Sequence, residues 1–121
     1  MDILARIIIA LIAVLHLYIG WFEMFAWETR GPKVFKSLPK GLFASTKSLA
    51  GNQGLYNGFL AAGLIWSLLV TDPLWSHNLE MFFLGCVAIA GVYGALTAEK
   101  KILFIQTVPA TIAIILLLLP V

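Results

Sequence analysis

Two ionisable groups lie inside the first long apolar run of this chain. His16 and Glu23 are seven residues apart, and on a helix turning 100° per residue that spacing returns them to within about 20° of one face. Gly20 and Trp27 fall on the same stripe. An imidazole, a position without a side chain, a carboxylate and an indole thus follow one another, with Glu23 about 10 Å beyond His16 at 1.5 Å per residue. In hydrocarbon each polar group is costly and asks for a partner or a purpose. Imidazoles and carboxylates are the usual proton carriers of active sites, so His16 and Glu23 form the candidate catalytic pair.

A second apolar run opens with GNQGLYNGFLAAG. Asn52 and Tyr56 are four residues apart, as are Gln53 and Asn57, so about one and a half turns carry three amides and a phenol. A third run adds Tyr93 and Thr97 near its end. A fourth adds Gln106 and Thr107 near its start, followed by Pro109, which removes a backbone donor and frees a carbonyl near position 105. The candidate ligand-binding residues are Trp27, Asn52, Gln53, Tyr56, Asn57, Tyr93 and Gln106. In this reading the amides orient a ligand by hydrogen bonds, while Tyr56 and Trp27 stack on it. The amides also have a plainer use as hydrogen-bonding glue between membrane helices, with Gly58, Ala61, Gly91 and Gly94 allowing close approach; both uses stay open. No metal site is expected, because His16 and Glu23 supply two ligands and only Cys86 offers a soft third. Glu80 reads as a solvated end residue and His77 as a lone loop histidine.

The elements that position these groups follow from composition. The chain is 61% hydrophobic and 12% charged, with mean hydropathy +0.98, whereas soluble domains carry roughly 25% charged residues. An ordinary water-soluble domain is excluded, and so is a nucleic-acid partner, since no soluble basic face exists. Crossing a bilayer takes about 20 mostly apolar residues, and four runs qualify, at about residues 3–26, 51–70, 79–97 and 102–119. They do not alternate as barrel strands do, and they are apolar all round, unlike surface helices. The expectation is one all-α domain over 1–121, a four-helix transmembrane bundle in contact with membrane lipids.

The first connection, about 28–50, is long, and Gly31-Pro32 and Pro39 are expected to stop the first helix there. Val34, Phe35, Leu38, Leu42 and Phe43 alternate with lysines, a pattern suited to the headgroup region. Ser45, Thr46 or Ser48 is expected to cap the second helix. The second connection, TDPLWSHN, has no Lys or Arg, and the third is the tight turn 98–101. The first and third connections hold seven of the eight basic residues, which makes them cytoplasmic and both termini external. Apart from His16, the strongly polar groups then gather in the cytoplasmic half, above a dry floor of Ile, Leu, Val, Ala and Phe.

HLYIGWFEMFAW followed by LAGNQGLYNGFLAAGL resembles the small bacterial membrane proteins catalogued as domain of unknown function 1304, over essentially the whole chain. The matching positions are His16, Glu23, Met24, Trp27, Asn52, Gln53, Gly54, Tyr56 and Asn57. The resemblance implies four helices in the bacterial cytoplasmic (inner) membrane and no established activity. More distantly, the layout is similar to DoxX-type four-helix proteins, some of which are associated with quinone-linked oxidoreductases.

Three functions compete. The leading one is a pocket for the head of a small amphipathic molecule, such as a quinone, isoprenoid or aromatic metabolite, with Glu23 and His16 exchanging protons. Any redox centre would come from a quinone or a partner subunit, and the sequence names no cofactor. The alternative is proton-coupled export by a homodimer, on a resemblance in size and helix-1 carboxylate to the small multidrug-resistance exporters, although the residues around Glu23 are not theirs. The third is a non-catalytic membrane scaffold.

Overall fold

The computed structural model describes residues 2–120, and over that range the chain is all-α. Helix α1 covers Asp2–Phe25, α2 Trp27–Val34, α3 Lys47–Leu69 and α4 Pro73–Thr97; a single 3-10 turn, Lys40–Leu42, lies between α2 and α3. The last helix begins as a π-helical segment, Leu103–Thr107, and continues as α5, Val108–Leu118. α1 lies against α3 and α5, and α4 against α3, the π segment and α5. Two of these helices, α1 and α4, are long and apolar enough to cross a membrane.

One face of α1 is turned outward and another is buried. Ile3, Ile7, Leu11, Val14, Trp21 and Phe25 point outward and are exposed. The buried face carries Ala5, Ile9, Ile12, Ala13, His16, Gly20, Phe22 and Glu23. Bulky apolar groups thus lie on both faces, and the buried face adds the small and polar groups. Between the helices Ile9, Ile12, Leu64, Leu84 and Val87 close one core with Ala110 and Ala113. At the other end of α1 a second cluster forms around Phe22, Trp27 and Phe43.

Helix limits depart from the sequence expectation in three places. Helix α4 begins at Pro73 rather than near 79, because Asp72 caps it: its carboxylate accepts the Leu74 N–H at 3.2 Å, with Pro73 in the first turn. Proline there forfeits a bond that a first turn never makes. Helix α3 starts at Lys47 rather than 51; Thr46 occupies the N-cap position but makes no side-chain cap bond. Gly31-Pro32 does not end a helix. The chain leaves helical geometry earlier, at Ala26 (φ −138°, ψ 31°), and α2 runs through both residues. The acceptor that Pro32 leaves unserved is the carbonyl of Glu28, an exposed residue that water or headgroups can serve.

Helices α1 and α3 come close to one another at a pair of glycines. A Cβ built on Gly20 would stand 2.9 Å from the Gly54 carbonyl oxygen, and one on Gly54 would stand 2.9 Å from Glu23 Cβ. Only glycine at both positions lets the two backbones come this near. Gly54→Ala is therefore expected to cost roughly 1–3 kcal/mol, as overpacking does. Gly51→Ala, on the same helix with nothing within 4 Å of the added atom, is expected to be neutral or mildly stabilising, by up to about 1 kcal/mol. Thermal unfolding of the two variants in detergent distinguishes these outcomes.

Candidate functional site

Because α1 and α3 touch at Gly20 and Gly54, the α3 residues flanking Gly54 reach the carboxylate next along α1. Glu23 is 1% exposed. Its Oε2 accepts from Gln53 Nε2 and its Oε1 from Asn57 Nδ2, each at 2.6 Å. One amide per oxygen, from two successive turns of α3, forms a clamp of charge-assisted length. Each amide keeps its own carbonyl oxygen as an acceptor, and the carboxylate oxygens keep further lone pairs. The group as a whole offers acceptors and asks for donors.

The clamp forms part of the wall of a cavity of about 320 Å³. Ile19, Phe22 and Phe35 line it on the α1 side, and Tyr93, Ile102 and Gln106 on the side of α4 and the π segment. The π segment has a local cause and a local consequence. Val108 N–H bonds to the Leu103 carbonyl, one residue further back than in an α-helix. Pro109 has no N–H to offer the Ile105 carbonyl. Thr107 Oγ1 donates to the Ala88 carbonyl at 2.9 Å, pinning the segment to α4, and Ile105 and Gln106 sit in the cavity wall. Single π turns inside α-helices are frequent at functional sites.

The connection from α2 to α3 covers the cavity. Trp27 Nε1 donates to Thr46 Oγ1 at 2.9 Å, and its ring packs on Phe43, Phe35 and Phe22 with centroids 4.9, 5.5 and 6.4 Å away. Glu99 fastens the far edge: its Oε1 accepts from the Ser37 N–H at 2.9 Å and the Ser37 hydroxyl at 2.8 Å, and its Oε2 pairs with Lys101 Nζ at 3.1 Å. Lys101 Nζ also donates to the Val34 carbonyl. Burial disfavours the charged form of Glu99, but Ser37 and Lys101 outweigh it and hold the carboxyl below its ordinary value of 4.5.

Among the residues singled out from the sequence, Glu23, Gln53, Asn57, Tyr93 and Gln106 share this cavity. The others lie elsewhere. Trp27 stands behind Phe22 and Phe35 as part of the aromatic cluster. Asn52 and Tyr56 face outward, with Tyr56 58% exposed and edge-on to Phe59. His16 is fully buried, but its Nδ1–H goes to the Ile12 carbonyl at 2.9 Å and its Nε2 has no partner among the described residues. It makes no hydrogen bond to Glu23, and it does not line the cavity. Sequence reasoning did not single out Phe22, Phe35 and Lys101, whose roles depend on the fold of the covering segment.

At the opposite end of the molecule, the expected dry floor carries charge. Glu80 is not a solvated end residue: it is 4% exposed, and Arg6 Nη1 lies 3.7 Å from its Oε2. His77 lies on α4 rather than in a loop, because Asp72 and Pro73 start the helix before it. An arginine early in α1 and a glutamate in the second turn of α4 were the available signal, since both helices begin at the same end.

Residues 10–118 match the family described as Protein of unknown function (DUF1304). The uncharacterized protein YpaA of Lactococcus lactis subsp. lactis (strain IL1403) is 34% identical over 119 residues, covering 95% of this chain and 97% of that protein. No solved structure matches the chain significantly. The chain belongs to the DUF1304 family.

The Glu99 tether has a calculable pH dependence. A carboxyl held below its ordinary value in the folded state contributes its full stabilisation above about pH 4.5, and loses it as pH falls through the depressed value. A spin label at position 36 is expected to stay immobile from pH 8 to about 5 and to gain mobility only below about 4.5. In Glu99→Gln its mobility should not change with pH over that range. A wild-type label indifferent to acid would remove the tether from the account.

Proposed function

We propose that the protein is a multi-pass membrane protein that binds the head of a small amphipathic molecule in the cavity at Glu23. In this reading α1, α3, α4 and the π segment with α5 are four spans of a transmembrane bundle in the bacterial inner membrane. The basic connections face the cytoplasm and the termini face outward. The bulky apolar residues on the outward face of α1, and the length and apolar composition of α1 and α4, support that arrangement. The architectural likeness to DoxX-type proteins belongs to the same reading.

The observation that carries the ligand is the clamped carboxylate. A buried acid held by two amides at the wall of a mainly apolar cavity combines one fixed polar point with a hydrophobic enclosure, the usual form of a small-molecule site. Its chemistry selects a head that donates hydrogen bonds, such as a hydroxyl on a flat ring, of the quinol or isoprenoid-alcohol type. Phe22, Phe35 and Tyr93 supply flat surfaces for the ring, and Gln106 meets it from the opposite wall. Glu23 is the group placed to exchange a proton with such a head. His16 lies outside the wall, and Trp27 acts through Phe22 and Phe35 rather than by touching the ligand.

Mass spectrometry of the gently purified protein tests the reading. The wild type is expected to carry a lipid-like molecule with a hydroxyl-bearing head. Hydrogen bonds to a charged group are worth about 1.5–3 kcal/mol, so Glu23→Gln and Asn57→Ala should lower its occupancy by roughly tenfold or more. Trp27→Phe should retain it. Wild-type protein free of any such molecule, together with variants that change only stability, would leave a scaffold. Proton-coupled efflux from proteoliposomes abolished by Glu23→Gln would replace storage or binding with export.

A further inference from the structure

Glu80 lies in the second turn of α4 with 4% of its surface exposed. Its Oε2 is buried and receives no hydrogen bond among the described residues. The guanidinium of Arg6 stands 3.7 Å away, close enough for attraction and too far for a hydrogen bond. The neighbouring donors are committed elsewhere. Arg6 Nη2 donates to the Leu68 carbonyl at 2.7 Å, and Nη1 leans on Ser76 Oγ at 3.5 Å. The Ser76 hydroxyl donates to the Ser67 carbonyl at 2.7 Å. A carboxylate has thus been brought among several donors, none of which serves it. Buried polar groups are ordinarily paired, and an exception asks for an explanation.

The same carboxylate lines a cavity of about 440 Å³ together with Asp2, Arg6, Ser76 and His77. Among the described residues that line it, the carboxylates of Asp2 and Glu80 stand against the one guanidinium of Arg6. An anion is disfavoured by that balance. A quaternary ammonium brings charge without N–H groups and leaves Glu80 as unserved as before. A primary ammonium brings one positive charge and three donors in a compact head, and the cavity leaves room for the rest of a small molecule behind it.

We propose that this cavity is a second binding site, specific for a primary ammonium group, with Glu80 and Asp2 as its acceptors and Arg6 holding Glu80 in place. The site is separate from the Glu23 cavity and stands or falls without it. Two sources present this chemistry: the ethanolamine head of a phospholipid and a soluble amine.

The test uses the full chain in nanodiscs of phosphatidylcholine, to which phosphatidylethanolamine, ethanolamine or tetramethylammonium is added. A lipid source predicts that native mass spectrometry finds phosphatidylethanolamine retained over phosphatidylcholine by about tenfold or more. A soluble source predicts a saturable rise of the thermal midpoint with ethanolamine and none with tetramethylammonium. Either result supports the site, and Glu80→Gln should abolish the response. Should that variant fail to fold, Asp2→Asn, at an exposed position, should weaken the same response several-fold. Equal retention of the two lipids with no response to ethanolamine would overturn the proposal, as would equal responses to ethanolamine and tetramethylammonium. In that case Arg6 and Glu80 are only a clamp between α1 and α4.

Discussion

A carboxylate buried among apolar side chains must find donors, and in this protein Glu23 finds them on one neighbouring helix. Gln53 and Asn57 each give an N–H at 2.6 Å, and they reach because α1 and α3 meet backbone to backbone at Gly20 and Gly54. The dependence runs both ways. Without the glycines the amides stand too far off; without the amides α3 would press its backbone against an unserved carboxyl group. A buried carboxylate stripped of its partners costs far more than the pair contributes while intact, so the clamp sets the relative position of α1 and α3. The cavity beside Glu23 takes part of its wall from that contact.

The rest of the fold supports this wall. Many outward side chains are bulky and apolar, and polar contacts join neighbouring helices. Thr107 on Ala88, Ser76 on Ser67 and Arg6 on Leu68 all use a side chain to serve a backbone carbonyl of a neighbouring element. At the other end the covering segment is held by bonds between side chains, Trp27 to the Thr46 hydroxyl and the Ser37 hydroxyl to the Glu99 carboxylate. Along that segment Phe35 and Phe43 turn inward, and Lys47 pairs with Glu28 at 3.6 Å. Polar groups thus gather at both ends of the molecule, with an apolar core of Ile9, Ile12, Leu64, Leu84 and Val87 between them.

How much of this is legible in the sequence depends on whether one helix or two decide the matter. The face shared by His16, Gly20 and Glu23 follows from the spacing of α1 alone, and all three are buried together. In the run Asn52, Gln53, Tyr56, Asn57 the two i,i+4 pairs lie about 100° apart. Which pair meets Glu23 is set by where Gly54 places α1, a fact outside any one-helix pattern, so Asn52 and Tyr56 look equivalent to Gln53 and Asn57 until the helices are packed. His16 shows a related limit: a shared face does not bring two side chains together at a separation of two turns, and the Ile12 carbonyl satisfies the imidazole locally. The Asp72-Pro73 start of α4 was readable as a cap, and treating those residues as a loop hid the second-turn position of Glu80. The ion pair of Arg6 with Glu80 joins residues 74 apart in sequence and needed both helix starts to be right.

The central claim is that Glu23 and the α3 amides act as one unit. A double-mutant cycle of Glu23→Leu and Asn57→Leu, read as unfolding free energy in detergent micelles, measures this most directly. Glu23→Leu leaves the Asn57 amide without its acceptor and Asn57→Leu leaves one oxygen of Glu23 without its donor, whereas the double change removes both sides of that contact, so the two costs should fall short of additivity by about 1–3 kcal/mol. Costs that add within about 0.5 kcal/mol would mean that the carboxylate and the amide do not depend on each other, and the wall of the cavity would need another explanation.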